Sequence, residues 1–264
     1  MTTLEADSRD ELTARTKELG IKAQTELLVD KDFSAIDRYW GEPYLQHNPF
    51  LENGLVALRA FKEANVPRAT TEIIRVFADK DLVFYHQRVS GFMPQALVFY
   101  DLYRIEDGRI VEHWDCWQDE QAPNPSGRLM LDGATQVEDH AATEANRARI
   151  TALIETAFVG GRVDRLEDFL HEDLIQHDPR VGDGVAAWMT FLETERLSGR
   201  AIVYEELRRM VVEGNFAMTA SKGRIGEVPH AFYDIWRLQD GQVVEHWNVV
   251  QAIPPVTKSG LPTI

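Results

Sequence analysis

The chain of 264 residues contains one long string twice. Residues 101–118 read DLYRIEDGRIVEHWDCWQ and residues 234–251 read DIWRLQDGQVVEHWNVVQ, with nine identities and no gap. A second pair of strings, YLQHNP at 44–49 and LIQHDP at 174–179, lies upstream at nearly the same offset. Two collinear matches about 130 residues apart indicate a duplicated domain, because each copy then has the length of an ordinary domain.

The repeat therefore predicts two tandem domains, copy one at residues 1–137 and copy two at residues 138–264. The segment from Asp119 to Ala142 is rich in proline, asparagine, glycine and aspartate. Such a composition is typical of irregular chain, so we interpret this segment as the tail of copy one followed by an interdomain linker.

Each copy begins with three helical stretches and continues with β-rich runs. The third helical stretch follows a glycine in both copies, Gly54 and Gly184. Asp-Gly pairs at 107–108 and 240–241 stand between two β-rich runs, which predicts a tight hairpin turn at each. Helices followed by a meander of antiparallel strands are typical of the α+β class.

Composition and charge exclude several classes of protein. The chain is 44% hydrophobic and 27% charged, as expected of a folded globular protein, and its net charge of -15 disfavours nucleic-acid and anionic-lipid partners. No apolar run approaches the ~18 to 20 residues of a membrane span, and the N-terminal string is too acidic for a secretory signal. The single cysteine, Cys116, cannot form an internal disulfide, so we expect a reducing, cytoplasmic setting.

Motifs for cofactors are missing from the sequence. No glycine-rich dinucleotide or phosphate-binding string follows a predicted strand, so we expect no nucleotide cofactor. A histidine–carboxylate metal site built from His47, His86, His113 and Asp115 is an alternative. No H-x-x-x-H or C-x-x-C spacing supports it, and we predict that no metal is bound.

The repeated strings carry a resemblance to a known family. YLQHNP, the glycine-led helix after it and the string D-x-x-R-x-x-D-G-R-I-V-E-H-W-D resemble the SnoaL-like polyketide cyclases, which belong to the superfamily of nuclear transport factor two. The resemblance covers nearly the whole chain, once per copy. It implies two tandem cone-shaped α+β barrels, each with three N-terminal helices packed on a curved antiparallel sheet.

The resemblance also implies a kind of chemistry. The best-known members close a ring by intramolecular aldol condensation, a cofactor-free acid–base reaction of a carbonyl compound. Their acid/base carboxylate matches Asp115 in copy one and Asn248 in copy two. The counterpart of the QHNP segment, which holds His47 here, carries the base in some members of the superfamily.

Strand alternation argues for the same position independently. In RIVEHWDCWQ the side chains of His113, Asp115 and Trp117 share one face, and Asp101 and Tyr103 share a face of the preceding strand. If both faces point inward, two carboxylates and an imidazole meet in one pocket. Two carboxylates in a low-dielectric pocket cannot both ionise cheaply, so one pKa should rise and the pair could act as base and acid.

The sequence therefore predicts a catalytic set and a ligand-binding set. The catalytic set consists of Asp115, Asp101, His47, His113 and His86, and the ligand-binding set of Tyr103, Trp117, Phe61, His177, Asp178, Asp234, His246 and Asn248. Structural roles are the alternatives. Asp115 could bind a backbone amide, Asp101 could pair with Arg104, and His47 could cap the following turn.

Copy two differs from copy one at candidate catalytic positions. Asn248 replaces Asp115, His86 has an alanine counterpart, and Asp178 replaces Asn48. An asparagine cannot act as a base near neutral pH, although it still donates and accepts hydrogen bonds. We therefore predict that copy one is catalytic and that copy two is degenerate or only binds a ligand.

The leading functional prediction is a small cofactor-independent lyase or isomerase acting on an aromatic or polycyclic carbonyl compound. The alternatives are a small-molecule binding protein without catalysis and a structural module with collapsed pockets. The resemblance further implies that the two sheets pair as an internal pseudo-dimer, through outward residues such as Trp114 and Trp247, with a homodimer as a further option.

Overall fold

The computed structural model describes residues 3–264, with side chains from Arg9 onward. The chain divides into two compact units. The first unit holds the chain up to Asp119 together with Pro254–Thr263, and the second holds Glu120–Ile253 with Ile264. Each unit combines one five-stranded sheet with helices, which confirms the predicted α+β class and the tandem arrangement.

The first unit follows the predicted order of helices and then strands. Its helices are α1 (Thr3–Gln24, continued by a π-helical turn at Thr25–Val29), α2 (Ala35–Tyr39) and α3 (Leu55–Asn65, followed by a 3-10 turn at Val66–Arg68). Its strands are β1 (Trp40–Gln46), β2 (Thr70–Asp79), β3 (Leu82–Ser90), β4 (Leu97–Glu106) and β5 (Arg109–Asp119). The sheet order is β1-β5-β4-β3-β2, with β1 parallel to β5 and the other pairs antiparallel.

The second unit repeats this plan. Its helices are α4 (Thr143–Leu153, continued by a π-helical turn at Ile154–Val159) and α5 (Val185–Leu197), with 3-10 turns at His140–Ala142 and Val163–Asp168. Its strands are β6 (Leu170–Gln176), β7 (Ile202–Glu213), β8 (Phe216–Ile225), β9 (Val228–Gln239) and β10 (Gln242–Ala252), in the order β6-β10-β9-β8-β7. Across residues 3–264 neither sheet closes, so each unit is an open sheet rather than a barrel.

Strand β1 is a difference from the predicted antiparallel meander. It adds a parallel strand to the sheet edge, and its ladder to β5 is irregular between Trp40 and Leu45. Gly41 and Pro43 interrupt the β-rich pattern there, which is why the strand is hard to read from the sequence. An edge position tolerates both residues, because only one side of the strand must pair.

The predicted hairpin turns fix the register of the strands that carry the candidate site. Asp107 and Gly108 have positive φ values of 50° and 71°, as a two-residue turn of this kind requires. Glu106 pairs with Arg109 on either side of the turn. The resulting ladder sets Asp101 of β4 directly opposite another aspartate, Asp115 of β5.

The segment after Asp119, where the tail or linker of copy one was predicted to begin, packs as part of the second compact unit. The side-chain amide of Asn124 donates to the carbonyl oxygens of Gln176 (2.6 Å) and Val181 (2.8 Å). Hydrogen bonds from a polar side chain to backbone carbonyls leave no hydrophobic pattern in the sequence, which explains why the segment looks like a linker.

The end of the chain belongs to the first unit in the same way. The backbone N–H of Lys258 donates to the carbonyl oxygen of Pro49 at 2.9 Å. The carbonyl oxygen of Pro262 lies 2.6 Å from Nδ1 of His47. Residues 254–263 therefore complete the unit that contains the first half of the repeat.

The core of the first unit lies between the helices and one face of the sheet. Its buried members come from both layers: Ala23, Leu27, Ile36, Trp40, Leu58, Val83, Tyr85, Tyr103 and Ile110. Each fully buried large side chain contributes about 1.5 to 3 kcal/mol of hydrophobic stabilisation. The face that carries Tyr103 also carries Asp101, so the candidate acids are turned toward the helices. None of the helices within residues 3–264 has the length and apolar content that a membrane span needs.

Candidate active site

A cavity of about 460 Å³ lies between α3 and the sheet of the first unit. Its polar lining consists of Gln46, Asn48, Lys62, Thr71, Gln87, Asp101, His113, Asp115 and Lys258. Its apolar lining includes Leu51, Leu58, Phe61, Phe92, Phe99 and Trp117. The cavity has the size and the mainly apolar walls of a small-molecule site, and its carboxyl groups and imidazole come from strands β4 and β5.

Asp115 is the buried carboxyl group with an unused oxygen. Its side chain lies in the cavity wall, and the residue is 3% exposed. The side-chain amide of Asn48 donates to its Oδ2 at 2.6 Å. Among the residues that the structure describes, its Oδ1 has no hydrogen-bond partner.

The surroundings of Asp115 shift its acidity. Burial raises the pKa of Asp115 to about 6, and the negative charge of Asp101 adds to this rise. The charge of His113 opposes the rise, and so does the hydrogen bond from Asn48. A carboxylate with a pKa near 6 is ionised at neutral pH and still accepts a proton readily, as a general base must.

Asp101 and His113 form a hydrogen-bonded dyad beside Asp115. Nε2 of His113 lies 2.7 Å from Oδ1 of Asp101, and the amide of Gln87 donates to Oδ2 of Asp101. Nδ1 of His113 lies 2.9 Å from Oε1 of Gln46. The same Oε1 accepts the backbone N–H of Asn48 at 3.0 Å, which identifies it as an oxygen.

The partners of His113 fix where its protons are. Nδ1 faces the Gln46 oxygen and must therefore carry a proton. Nε2 faces a carboxylate oxygen of Asp101, so one further proton is shared between that oxygen and Nε2. The dyad then has no net charge and holds a proton next to the cavity.

Tyr103 packs against the dyad and is not part of the cavity lining. Its ring stacks on the imidazole of His113, with centroids 4.3 Å apart and planes at 14°. Phe61 and Trp117, the other predicted ligand-binding residues of this copy, do line the cavity. The structure thus brings Asp101, His113, Asp115, Phe61 and Trp117 to one site.

His47 lies away from the cavity, although its neighbours Gln46 and Asn48 line it. Its Nε2 is 2.8 Å from a carboxylate oxygen of Glu112, and its ring stacks on Trp114 with centroids 4.8 Å apart. Alternation along the chain explains the placement, because residues 46 and 48 point one way and residue 47 the other. His47 connects β5 to the end of the chain and does not reach the candidate site.

His177 repeats this arrangement in the second unit. Its Nε2 lies 2.9 Å from Glu245, its Nδ1 lies 2.6 Å from the carbonyl oxygen of Leu129, and its ring stacks on Trp247. The recurrence of histidine at both positions therefore reflects a packing role that both units need.

His86 is on the opposite face of the sheet from the candidate acids. It pairs with Tyr100 in the ladder, whereas Asp101 pairs with Tyr85. Its Nδ1 lies 3.0 Å from Nη1 of Arg75. The expectation that His86 joins the catalytic set is corrected by this register, because successive residues of a strand face opposite sides.

The dyad recurs in the second unit. Nε2 of His246 lies 3.0 Å from Oδ1 of Asp234, and Nδ1 lies 2.8 Å from Oε1 of Gln176. Burial raises the pKa of Asp234, while the hydrogen bond from His246 opposes the rise. The hydroxyl of Tyr204 lies 3.2 Å from Oδ2 of the same carboxyl group.

The repeat has Asp115 in the first unit and Asn248 in the second, and each forms a hydrogen-bonded pair. The acid and the amide of that pair exchange positions between the units. In the second unit the amide of Asn248 donates to Oδ2 of Asp178 at 2.9 Å, where the first unit has the amide of Asn48 and the carboxylate of Asp115. Burial alone would raise the pKa of Asp178, but the hydrogen bond and charge of Arg180 hold it below the ordinary value.

Arg180 changes what this pair can do in the second unit. Its guanidinium lies 2.6 Å from Oδ2 of Asp178, so the carboxylate is held as the partner of a fixed cation. A carboxylate stabilised in its charged form is a weak base. The first unit therefore has a basic carboxylate in this pair, whereas the second unit has a carboxylate neutralised by Arg180.

A comparison with protein families agrees with this duplicated site. The family model for the SnoaL-like domain matches residues 21–113 and again residues 150–246. The chain belongs to the SnoaL-like family. Each match contains one complete dyad, and the resemblance noted in the sequence is confirmed for both domains. No curated protein matches the chain.

Solved structures of similar proteins each cover less than half of this chain. A protein from Kribbella flavida, provisionally assigned as a ketosteroid isomerase, is 17% identical over 48% of this chain and 93% of its own, with a TM-score of 0.37. IdmH from Streptomyces antibioticus, provisionally a polyketide cyclase, is 17% identical over 40% and 91%, with a TM-score of 0.34. An epoxide hydrolase of M. tuberculosis is 20% identical over 40% and 84%, with a TM-score of 0.33.

Aromatic rings cover the dyad of the second SnoaL-like domain. Trp188 follows Gly184 by four residues, as Leu58 follows Gly54 in the first domain. The ring of Trp188 stacks on His246 with centroids 4.5 Å apart. The position that lines the cavity in the first domain therefore closes over the imidazole in the second.

Tyr204 is a second residue by which the second domain covers its dyad. Tyr204 pairs with Gly223 in β8, at the ladder position that Thr71 occupies opposite Val89 in the first domain. Its ring stacks on Phe232, and its hydroxyl reaches Asp234. The second SnoaL-like domain thus satisfies its own dyad with side chains that the first domain lacks.

The dyad and Asp115 also offer ligand atoms for a metal ion. One ligand atom each from Asp101, His113 and Asp115 lie within 4.8 Å of one another. Both nitrogens of His113 already face acceptors in Gln46 and Asp101, so a bound ion would have to displace the shared proton of the dyad. The alternative metal site with His47 and His86 is not assembled, because both histidines lie off the cavity.

The cavity lining includes polar residues that were not in the predicted site. Gln46 and Gln87 hold the dyad, and Lys62 extends from α3 into the cavity wall. The sequence repeat already marked Lys62 as unusual, because the matching residue of the second domain, Leu192, is apolar. A charged residue at a position that is apolar in the other copy indicates a side chain directed toward the interior.

Proposed function

We propose that the first SnoaL-like domain is a cofactor-independent acid–base enzyme of the lyase or isomerase type, acting on a small carbonyl compound. One observation supports this most directly. Asp115 has an oxygen with no hydrogen-bond partner among the described residues, its pKa is raised by burial to about 6, and it lies beside a dyad that holds a proton. Base and acid therefore meet within one site.

The proposed reaction moves one proton at each step. Oδ1 of Asp115 takes a proton from the carbon next to the carbonyl group, so the C–H bond breaks and its electron pair moves to the carbonyl oxygen. The Asp101–His113 dyad supplies a proton to the enolate, and Asp115 then returns its own proton to the dyad, which restores both groups. Positioned acid–base groups of this kind accelerate reactions by about 10²- to 10⁴-fold each.

The walls of the cavity suggest an aromatic or polycyclic substrate. Phe61, Phe99 and Trp117 offer flat apolar surfaces, and a volume of about 460 Å³ accommodates a compound of one to a few rings. If the substrate carries a second carbonyl group within reach, the enolate can attack it and close a ring. The proton of the dyad then passes to the new alkoxide oxygen.

The second domain has a structural or ligand-holding role in this proposal. Arg180 neutralises Asp178, and Trp188 and Tyr204 cover the dyad of Asp234 and His246. These contacts leave no basic carboxylate at the place where the first domain has one. A binding protein without catalysis remains the alternative function for the first domain, and it requires the cavity but not the basicity of Asp115.

Exchange of hydrogen for deuterium next to a carbonyl group tests the proposal without knowledge of the substrate. We expect the protein, dialysed against a chelator, to catalyse exchange of aromatic ketones such as 2-tetralone in D₂O, followed by NMR. Because Asp115 must be ionised, the rate constant should rise about tenfold per pH unit below about pH 6 and level off above it. A panel of ketones without exchange, or a rate that is flat through pH 6, would argue for the binding function instead.

A further inference from the structure

Lys62 is a cation in the cavity wall. It lies on α3, across the cavity from strands β4 and β5, and its side chain is half-buried. Among the residues that the structure describes, no hydrogen bond or ion pair holds its ammonium group. Nζ lies over the ring of Phe61, 6.0 Å from its centroid.

The charge of Lys62 interacts with the charges of the two cavity aspartates, Asp101 and Asp115. Burial lowers the pKa of Lys62, and the negative charges of Asp101 and Asp115 act against this. The Asp101–His113 dyad is neutral because it shares one proton, so ionised Asp115 and protonated Lys62 cancel each other. The interior of the cavity thus holds one positive and one negative charge, and the exposed Lys258 adds a further positive charge to its lining.

Proton transfer would move the negative charge across this cavity. When Asp115 becomes protonated, the charge passes to the carbonyl oxygen of the substrate, away from β5. A charge that develops in an apolar site is costly unless a preorganised group of opposite sign faces it. Lys62 is the cation in the lining on the α3 side, where that oxygen would point if the reacting carbon contacts Asp115.

The second domain shows the contrasting arrangement. Leu192 stands at the position of Lys62, and the cation of that domain, Arg180, is paired with Asp178 at 2.6 Å. A paired cation offers little to a ligand. The first domain alone therefore combines a basic carboxylate with an unpaired lysine in one cavity.

We propose that Lys62 is a catalytic residue that binds the carbonyl oxygen of the substrate and stabilises the enolate formed when Asp115 removes a proton. The inference rests on the proposed function and refines the substrate class. That class is a carbonyl compound whose oxygen reaches Lys62 while the neighbouring carbon contacts Oδ1 of Asp115.

The anion of 2-naphthol tests this role without turnover, because an aromatic oxyanion resembles an enolate. In the Asp115→Asn protein, which imitates the protonated base, we expect 2-naphthol to bind as the naphtholate at pH 7, detected by its absorption band. Adding Lys62→Met should reduce the bound naphtholate at least tenfold, and Lys62→Arg should restore most of it. Naphtholate binding that is unchanged by Lys62→Met, or absent from Asp115→Asn, would overturn the inference.

Kinetics separate this inference from the proposal on which it rests. With Asp115 present, Lys62→Met should lower the exchange rate of 2-tetralone by about 10²- to 10³-fold, as loss of an oxyanion-stabilising donor does. If Lys62→Met exchanges at the wild-type rate while Asp115→Asn is inactive, the role of Lys62 is refuted and that of Asp115 stands. If Asp115→Asn retains exchange, the proposed function itself fails.

Discussion

Replacing Asp115 by asparagine is expected to lower the exchange rate by at least about 100-fold, because the amide cannot accept the substrate proton. The fold should persist. The amide of Asn48 can donate to the new side-chain oxygen as it does to Oδ2 of Asp115, and the second domain already places an asparagine there, Asn248. The exchange assay measures the rate, and far-UV circular dichroism verifies the fold.

A matched control removes a carboxylate of the same size far from the cavity. Asp173 is an exposed residue of β6 in the second domain, and Asp173→Asn changes the net charge by the same amount. We expect the control to exchange at the wild-type rate. Equal losses in both variants would mean that overall charge, rather than the base, sets the rate.

The same substitution of Asp115 should make the protein more stable at neutral pH. Burial raises the pKa of Asp115 from 3.8 to about 6, so the folded chain holds this proton more tightly than the unfolded chain does. The unfolded chain therefore binds fewer protons between these pH values, and the free energy of unfolding of the wild type falls as pH rises through that window. At about 1.4 kcal/mol per pH unit, the ionised form costs about 3 kcal/mol above pH 6.

Urea unfolding at two pH values measures this cost. We expect Asp115→Asn to exceed the wild type in unfolding free energy, with a margin about 1 kcal/mol larger at pH 8 than at pH 5. Asp173→Asn provides the baseline for a lost surface charge. A margin that stays constant or shrinks between pH 5 and pH 8 would show that Asp115 is not held in an environment that disfavours its charge.

The Asp115→Asn substitution is expected to lower activity and to raise stability. These opposite effects explain why the two halves of the repeat differ at this position. In the second domain a cation neutralises Asp178 and aromatic rings cover the dyad, so the basic carboxylate is lost and the polar groups are satisfied within the fold. In the first domain Asp115 remains buried, and within the part of the chain that the structure describes one of its oxygens has no hydrogen-bond partner. Such an arrangement costs stability and is typical of a site that serves a reaction.

The faces of β4 and β5 could be predicted because a two-residue turn joins them. Once Asp107 and Gly108 form the turn, the ladder sets Asp101 opposite Asp115, and strand alternation places His113 on the same face. The inward direction of that face was a condition of the prediction, and in the structure Tyr103 of the same face lies in the core between helices and sheet.

The placement of His86 and His47 could not be predicted in this way. Strand β3 is joined to β4 by residues 91–96, a longer connection that leaves the register open, so the face of His86 depends on pairing that the sequence does not specify. His47 follows β1, whose parallel pairing with β5 is irregular and bridges distant parts of the chain. Lys62 depends on how α3 packs over the sheet, which is also a tertiary property.

Titration of the Asp115 carboxyl carbon by NMR tests the central claim most directly, since that claim is a buried base facing the cavity. In protein labelled with ¹³C at the aspartate carboxyl groups, the Asp115→Asn spectrum identifies the signal by its absence. We expect this signal to titrate near pH 6. A midpoint near 3.8, the ordinary value for aspartate, would contradict the account, because the carboxylate would then be too weak a base and too well solvated for the proposed chemistry.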